Sequence, residues 1–307
     1  VSRPSHLGAF QLALASLGLA MGCGTSSPHV LPNGDYRLAL DSLQFQVAPA
    51  GARIVDVRLP GGSNLLTDAS VNATNFGSTF WTSPQSAWGW PPPAEFDTAA
   101  FTVGGSDSSL TFAGPPSTAL GAQISKTFSV AGGASSVRAE YRITAVGAGG
   151  MFAPWEVTRV LPGGLTFFPT GAGQPTAGAG FQLPPTQTAA GCTWYQHPGT
   201  APGADQKLLA DGSGGWLAQV SGDVLLVKTF ADVPDGMAAP GEAEIEIFVQ
   251  GQGDYVEVEE QGAYQSLPKG QTLIWPVTWI VRPLPAGMDA TVGSPDLVSF
   301  VQSLISS

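Results

Sequence analysis

The 307 residues include 40 Gly and 26 Pro, yet only 11% are charged, against about 25% in an average globular domain, so turns must take a large share of the chain. Hydrophobic residues make up 43%, with 15 Phe, 8 Trp and 5 Tyr, which excludes a disordered tail or linker and calls for a packed core. A net charge of -11 excludes a protein that coats nucleic-acid phosphates; a neutral or cationic ligand suits it better.

In chain order, the first segment is a basic start at Arg3 followed by an apolar run from Leu7 to Met21. The run is too short to span a bilayer, and with small residues before Cys23 it reads as a signal peptide over 1–22. Leu19-Ala-Met-Gly-Cys23 resembles the lipobox of bacterial lipoproteins, which implies a lipidated Cys23, an exported chain anchored at the bacterial cell envelope, and a polar tether over 23–34. Plain secretion to the periplasm or medium is the alternative. Lipidation would leave Cys192 as a single thiol, with no disulfide framework and no Cys-based metal site.

From Asp35 onward, short two-residue alternations bounded by Gly, Pro, Ser and Asp predict antiparallel strands. They fall over Tyr36 to Val47, Arg53 to Leu59, Ala122 to Val130, Val137 to Thr144, Trp216 to Val220, Val224 to Phe230, Glu242 to Val249, Tyr255 to Glu260 and Thr272 to Val281. No helix of useful length is predicted between 35 and 285, which makes the fold class all-β, an antiparallel sandwich domain over 35–285. Over 286–307, Ser294-Pro295-Asp296 supplies a cap, a first-turn Pro and an early acid, and Leu297, Phe300, Val301, Leu304 and Ile305 form one stripe of a helix that docks on the domain.

Residues 72–97 are the least ordinary stretch. Trp81, Trp88 and Trp90 fall within ten residues, interleaved with Ser, Gln and Asn, and the Pro cluster argues against a continuous strand or helix. Indole rings stack on the C–H faces of sugars and amides meet their hydroxyls, so Trp81, Gln85 and Trp88 are candidate saccharide contacts. A plug for one end of the sandwich is the competing reading, and a protein-docking patch of Trp88 and Trp90 a third. Trp155, Glu156 and Arg159 are also candidates, because a Glu and an Arg inside an apolar chain need partners; the plain alternative is an ion pair between those two. Asp232 and Asp235 read as a solvated acidic edge rather than a Ca²⁺ site. No cofactor motif and no metal-ligand pair is present.

Several segments, taken in order, resemble the galactose mutarotase (aldose 1-epimerase) superfamily. They are Gly51-Ala-Arg-Ile-Val-Asp-Val-Arg-Leu, Trp216 to Phe230, Tyr255-Val-Glu-Val-Glu-Glu-Gln and Leu267-Pro-Lys-Gly-Gln-Thr-Leu. Asn75 to Pro91 is similar to a bacterial family within it, domain of unknown function family 4380. The resemblance implies a supersandwich with a carbohydrate-binding concave face, where a Glu takes the anomeric proton and a His protonates the ring oxygen. Glu259 matches the base, with Glu257 as fallback, and His197 is the one available acid. Where mutarotases carry an Asn-His motif, this chain reads Pro154-Trp-Glu-Val-Thr-Arg159, without a His. The expectation is therefore a monomeric carbohydrate-binding envelope lipoprotein that takes a neutral saccharide, uses no cofactor and touches a membrane only through its anchor. The alternatives are an enzyme of the aldose 1-epimerase type with His197 and Glu259 as acid and base, and a protein-docking envelope protein.

Overall fold

The computed structural model describes Val1 and residues 27–132 and 135–306. The segment expected to be a signal peptide, apart from Val1, and Cys23 lie outside the described residues.

Two antiparallel sheets, of eleven and ten strands, pack face to face. Seven consecutive strands of the eleven-stranded sheet, the last at its edge, run Arg53–Arg58, Ser78–Ser83, Gly149–Val160, Val256–Gln261, Ile245–Val249, Gln206–Ala210 and Thr176–Ala177 in spatial order. The central strands of the ten-stranded sheet run Cys192–Gln196, Leu165–Pro169, Trp216–Ser221, Val224–Thr229, Thr272–Pro283, Ser136–Ala145 and Ala122–Val130. Alternation decides which side chains meet between the layers. Val256, Val258, Ile245 and Ile247 of the first sheet pack there against Phe168, Tyr195 and Leu217 of the second. On the outer face of the second sheet, Phe167, Trp194, Trp216 and Ala218 meet the closing helix Pro295–Ile305 through Leu297, Val298 and Val301. The Ser294 side chain caps that helix by accepting from the Leu297 amide at 3.2 Å.

Among the strands that the alternation rule did not anticipate, two position the aromatic side of the site. Ser78–Ser83 is buried on both faces and therefore carries no alternation; its prolines begin only at Pro84, beyond the strand's end. Gly149–Val160 runs through Pro154, whose missing N–H is harmless because the strand changes partners there. It pairs with Gln265–Pro268 up to Phe152 and with Val256–Gln261 from Trp155 onward, while the Pro154 carbonyl accepts from Gly262 at 2.9 Å.

Candidate functional site

The register of the eleven-stranded sheet sorts its polar residues onto two faces. Directly opposed residues point the same way, so Trp81, Trp155 and Gln261 form one row on the outer face, and Arg159, Glu257, Phe248 and Lys207 another. Glu259 and Glu246 lie opposite each other between the rows. Glu156, Glu260, Thr158 and Val258 point the other way, towards the second sheet. A cleft of about 970 Å³ opens over the outer face. Trp81, Trp90, Gln85 and Trp155 line one part of it, Phe181 and Phe248 another, with Lys207 and Glu257 between.

The aromatic wall is a cluster of four indoles. The Trp81 ring lies 5.7 Å from Trp88, 6.2 Å from Trp90 and 5.5 Å from Trp155, all edge-on. Trp81 is fixed from behind, its Nε1–H donating to Asp97 at 3.1 Å, and both Asp97 oxygens in turn accept from Arg53 Nη2 at 3.0 Å. Trp88 sits behind the wall and donates to the Thr82 carbonyl at 2.8 Å. It supports Trp81 and Trp155 rather than lining the cleft. Trp90 is 56% exposed and lines the cleft, so the flat patch of Trp88 and Trp90 that the alternative docking reading would need is not formed.

Beneath the floor lies a buried charge network. Lys207 Nζ sits 2.6 Å from Glu246 and 3.0 Å from Glu259, and 5.4 Å from the Trp155 ring centre. Burial works against its charge, but Glu246, Glu259 and Glu257 together hold the ammonium above its ordinary pKa. Burial pushes the Glu246 carboxyl well up, with Lys207 opposing, and pushes Glu257 up as well, with Arg159 opposing. Glu259 accepts from Trp155 Nε1 at 2.8 Å and is fully buried, not a solvated surface carboxylate. Arg159 pairs with Glu257 at 2.8 Å and stands 5.4 Å from the Trp81 ring centre. One rim depends on a close approach: a Cβ at Gly178 would fall 2.7 Å from Lys207 Cγ, so only glycine lets that loop settle on the lysine stem.

Of the eight side chains anticipated as site residues, the structure brings Trp81, Gln85 and Trp155 to the cleft and sets Trp88, Arg159 and Glu259 directly behind it. Glu156 and His197 are corrected. Glu156 is three residues from Arg159 and so on the opposite face, which excludes their ion pair; it is fully buried between the sheets. There it accepts from Trp279 at 3.3 Å, takes a hydrogen bond from Tyr141, and shares Lys228 with Glu260, at 3.3 and 2.9 Å. His197 follows the Cys192–Gln196 strand of the second sheet and is 2% exposed, its Nε2 2.7 Å from the Thr166 hydroxyl. Burial lowers its pKa to about 4. It faces the interlayer with Tyr195, 5.2 Å away ring to ring, and the whole eleven-stranded sheet separates it from the cleft. The acid–base pairing of His197 with Glu259 is therefore not formed.

Lys207, Glu242, Glu246 and Phe181 complete the site and were missed. Lys207 sits on the short strand Gln206–Ala210 and Phe181 on a loop, neither with enough alternation to be noticed, and Glu242 had the look of strand surface. Glu242 instead lines the cleft and accepts from the Gln85 amide at 2.8 Å. Among the described residues, no three His, Cys, Asp or Glu converge on a possible metal position, and no helix is long and apolar enough to cross a membrane. Cys192 is a free thiol, its pKa raised by burial to about 11.

No family model matches the chain, and no curated protein does. Solved structures do. A galactose mutarotase-like protein from Lactobacillus casei is 13% identical, with a TM-score of 0.55 over 81% of this chain and 100% of that one. The fold is galactose mutarotase-like. The GalM/aldose epimerase homologue of C. elegans is 11% identical, TM-score 0.52, over 82% of this chain and 99% of its own. The Slr1438 protein of Synechocystis is 12% identical, TM-score 0.53, over 90% and 100%. At these identities the likeness covers the fold alone.

Proposed function

We propose that the cleft binds a neutral saccharide and that the protein acts as a carbohydrate-binding module on the mutarotase-like scaffold. The carrying observation is the wall of Trp81, Trp90 and Trp155 facing amide and carboxylate groups across one cleft. Asp205, Glu242 and Glu257 line it against a single lysine, an electrostatic setting that repels phosphorylated sugars. We further propose that Cys23 is lipidated and tethers the monomeric domain to the cell envelope; the pattern before Cys23 supports this, and mass spectrometry of wild type and Cys23→Ser tests it.

Binding is favoured over turnover by the state of Glu259. A general base must reach the proton it removes within hydrogen-bond distance, whereas Glu259 is fully buried with Lys207 and Trp155 on its oxygens. An aldose 1-epimerase-like reaction would have to use the cleft carboxyls Asp205, Glu242 and Glu257, the last two held above the ordinary carboxylate pKa by burial. A glycan array probed with wild type and Trp90→Ala tests binding: a signal lost in the variant supports it, and a blank array for the wild type refutes it. Anomer equilibration of aldoses, followed by NMR, decides the enzymatic alternative.

A further inference from the structure

Among the described residues, every Phe, Tyr and Trp side chain but two is buried or half-buried. The two exposed ones are Trp90 at 56% and Phe181 at 40%, and both line the same cleft. They belong to separate aromatic groups. Trp90 leans on Trp81, and Phe181 meets Phe248 edge-on at 5.9 Å, with Tyr255 a further 6.3 Å behind Phe248.

The sheet register measures how far apart these groups stand. Trp81 and Phe248 are separated by three strand spacings, Ser78–Ser83 to Gly149–Val160 to Val256–Gln261 to Ile245–Val249, which is about 14 Å at the usual inter-strand distance. The row of Trp81 crosses the Val256–Gln261 strand at Gln261 and that of Phe248 crosses it at Glu257, a further four residues, or about 13 Å, along the strand. The backbone positions of Trp81 and Phe248, which back the two platforms, thus lie diagonally across roughly 19 Å of sheet, with Glu257 and the Lys207 side chain reaching into the floor between them. That backbone span is longer than one pyranose ring. Amides follow the same course: Gln85 at the tryptophan end, and Gln250 and Gln252 on the loop beside Phe248.

We infer that the ligand is a neutral oligosaccharide, laid diagonally across the cleft with one ring stacked at Trp90 and a more distant ring at Phe181. This rests on the carbohydrate reading above and extends it from a sugar to a chain of linked sugars. Two exposed aromatics at opposite ends of one groove would each hold an apolar ring face, while the acidic floor between them selects against anionic glycans. The Phe181 platform would be idle for a monosaccharide.

Calorimetry with neutral malto-, cello-, xylo- and manno-oligosaccharides, each from one to six units, tests the inference on wild type, Trp90→Ala and Phe181→Ala. Both positions are exposed, so circular dichroism and melting temperature are expected to stay unchanged. In the series that binds, affinity should rise by about tenfold or more between the monosaccharide and the tetramer. Phe181→Ala should remove most of that gain and leave the monosaccharide unaffected, while Trp90→Ala weakens every length. Affinity independent of length, or a Phe181→Ala variant that still shows the full gain, overturns the oligosaccharide inference and leaves saccharide binding standing. Failure of every series to bind overturns both.

Discussion

Acidification below about pH 6 should destabilise the fold through His197. The side chain is 2% exposed, and burial brings its pKa to about 4 from an ordinary 6.5. Between those values the unfolded chain binds a proton that the folded chain refuses, so stability rises with pH across the window and is lost as pH falls through it. The full shift corresponds to about 3 kcal/mol, of which about 2 kcal/mol is lost between pH 7 and pH 4.5. Many carboxyls titrate over the same range, some with the opposite sign, so the measurement is a difference. Urea denaturation of wild type and His197→Gln is compared at several pH values; Gln keeps a partner for the Thr166 hydroxyl and cannot charge. Wild type should lose about 2 kcal/mol more than the variant on going from pH 7 to pH 4.5. Parallel pH profiles would refute the buried, neutral placement of His197 and reopen its role at the cleft.

Three further outcomes are expected. Lys207→Met leaves Glu246 and Glu259 buried without their cation and should cost about 3–5 kcal/mol near pH 8; carboxyls so raised are relieved on protonation, so the gap to wild type should narrow by pH 5, and a pH-independent gap in urea melts would count against the network. Gly178→Val drives a side chain into the Lys207 stem, which should displace the rim loop at a cost of about 1–3 kcal/mol and weaken saccharide affinity, read by calorimetry. Leu297→Ala, on the face of the closing helix that packs against the far sheet, should cost about 2–5 kcal/mol in thermal or urea unfolding, yet leave glycan binding by the folded protein unchanged.

The sandwich was legible in part, and Ser109–Ser117 was missed although its burial alternates. Ala122–Val130 falls where its alternation predicts, and Trp216–Ser221, Val224–Thr229 and Thr272–Pro283 differ from expectation only at their ends. Ser294 and Pro295 likewise marked the helix start. Ser78–Ser83 and most of Gly149–Val160 were not legible: they have no solvent side to create a pattern and lack the aliphatic runs that marked Trp216–Ser221 and Val224–Thr229, which are also buried on both faces. The site suffered from the same blindness in another form. Trp81, Gln85 and Trp155 drew notice by residue type, but which face a Glu occupies depends on partners far away in sequence. Glu156 and Arg159, three residues apart, seemed natural companions, yet strand geometry sends one to Lys228 and the other to Glu257. His197 was singled out by scarcity, and scarcity carries no information about depth.

Lys228 reaches from the second sheet to Glu156 and Glu260 on the first, two strands that also carry Trp155 and Glu259 on their opposite faces. The pair acts as a rivet through the sandwich: the strands under the cleft cannot peel away without stranding charges in an apolar interior. Local opening of the binding floor should therefore be as rare as unfolding of the whole molecule, and its amides should be among the last to exchange with deuterated solvent. Whatever adapts to an incoming glycan must then be the loops that carry Trp90 and Phe181, moving above a foundation that stays still.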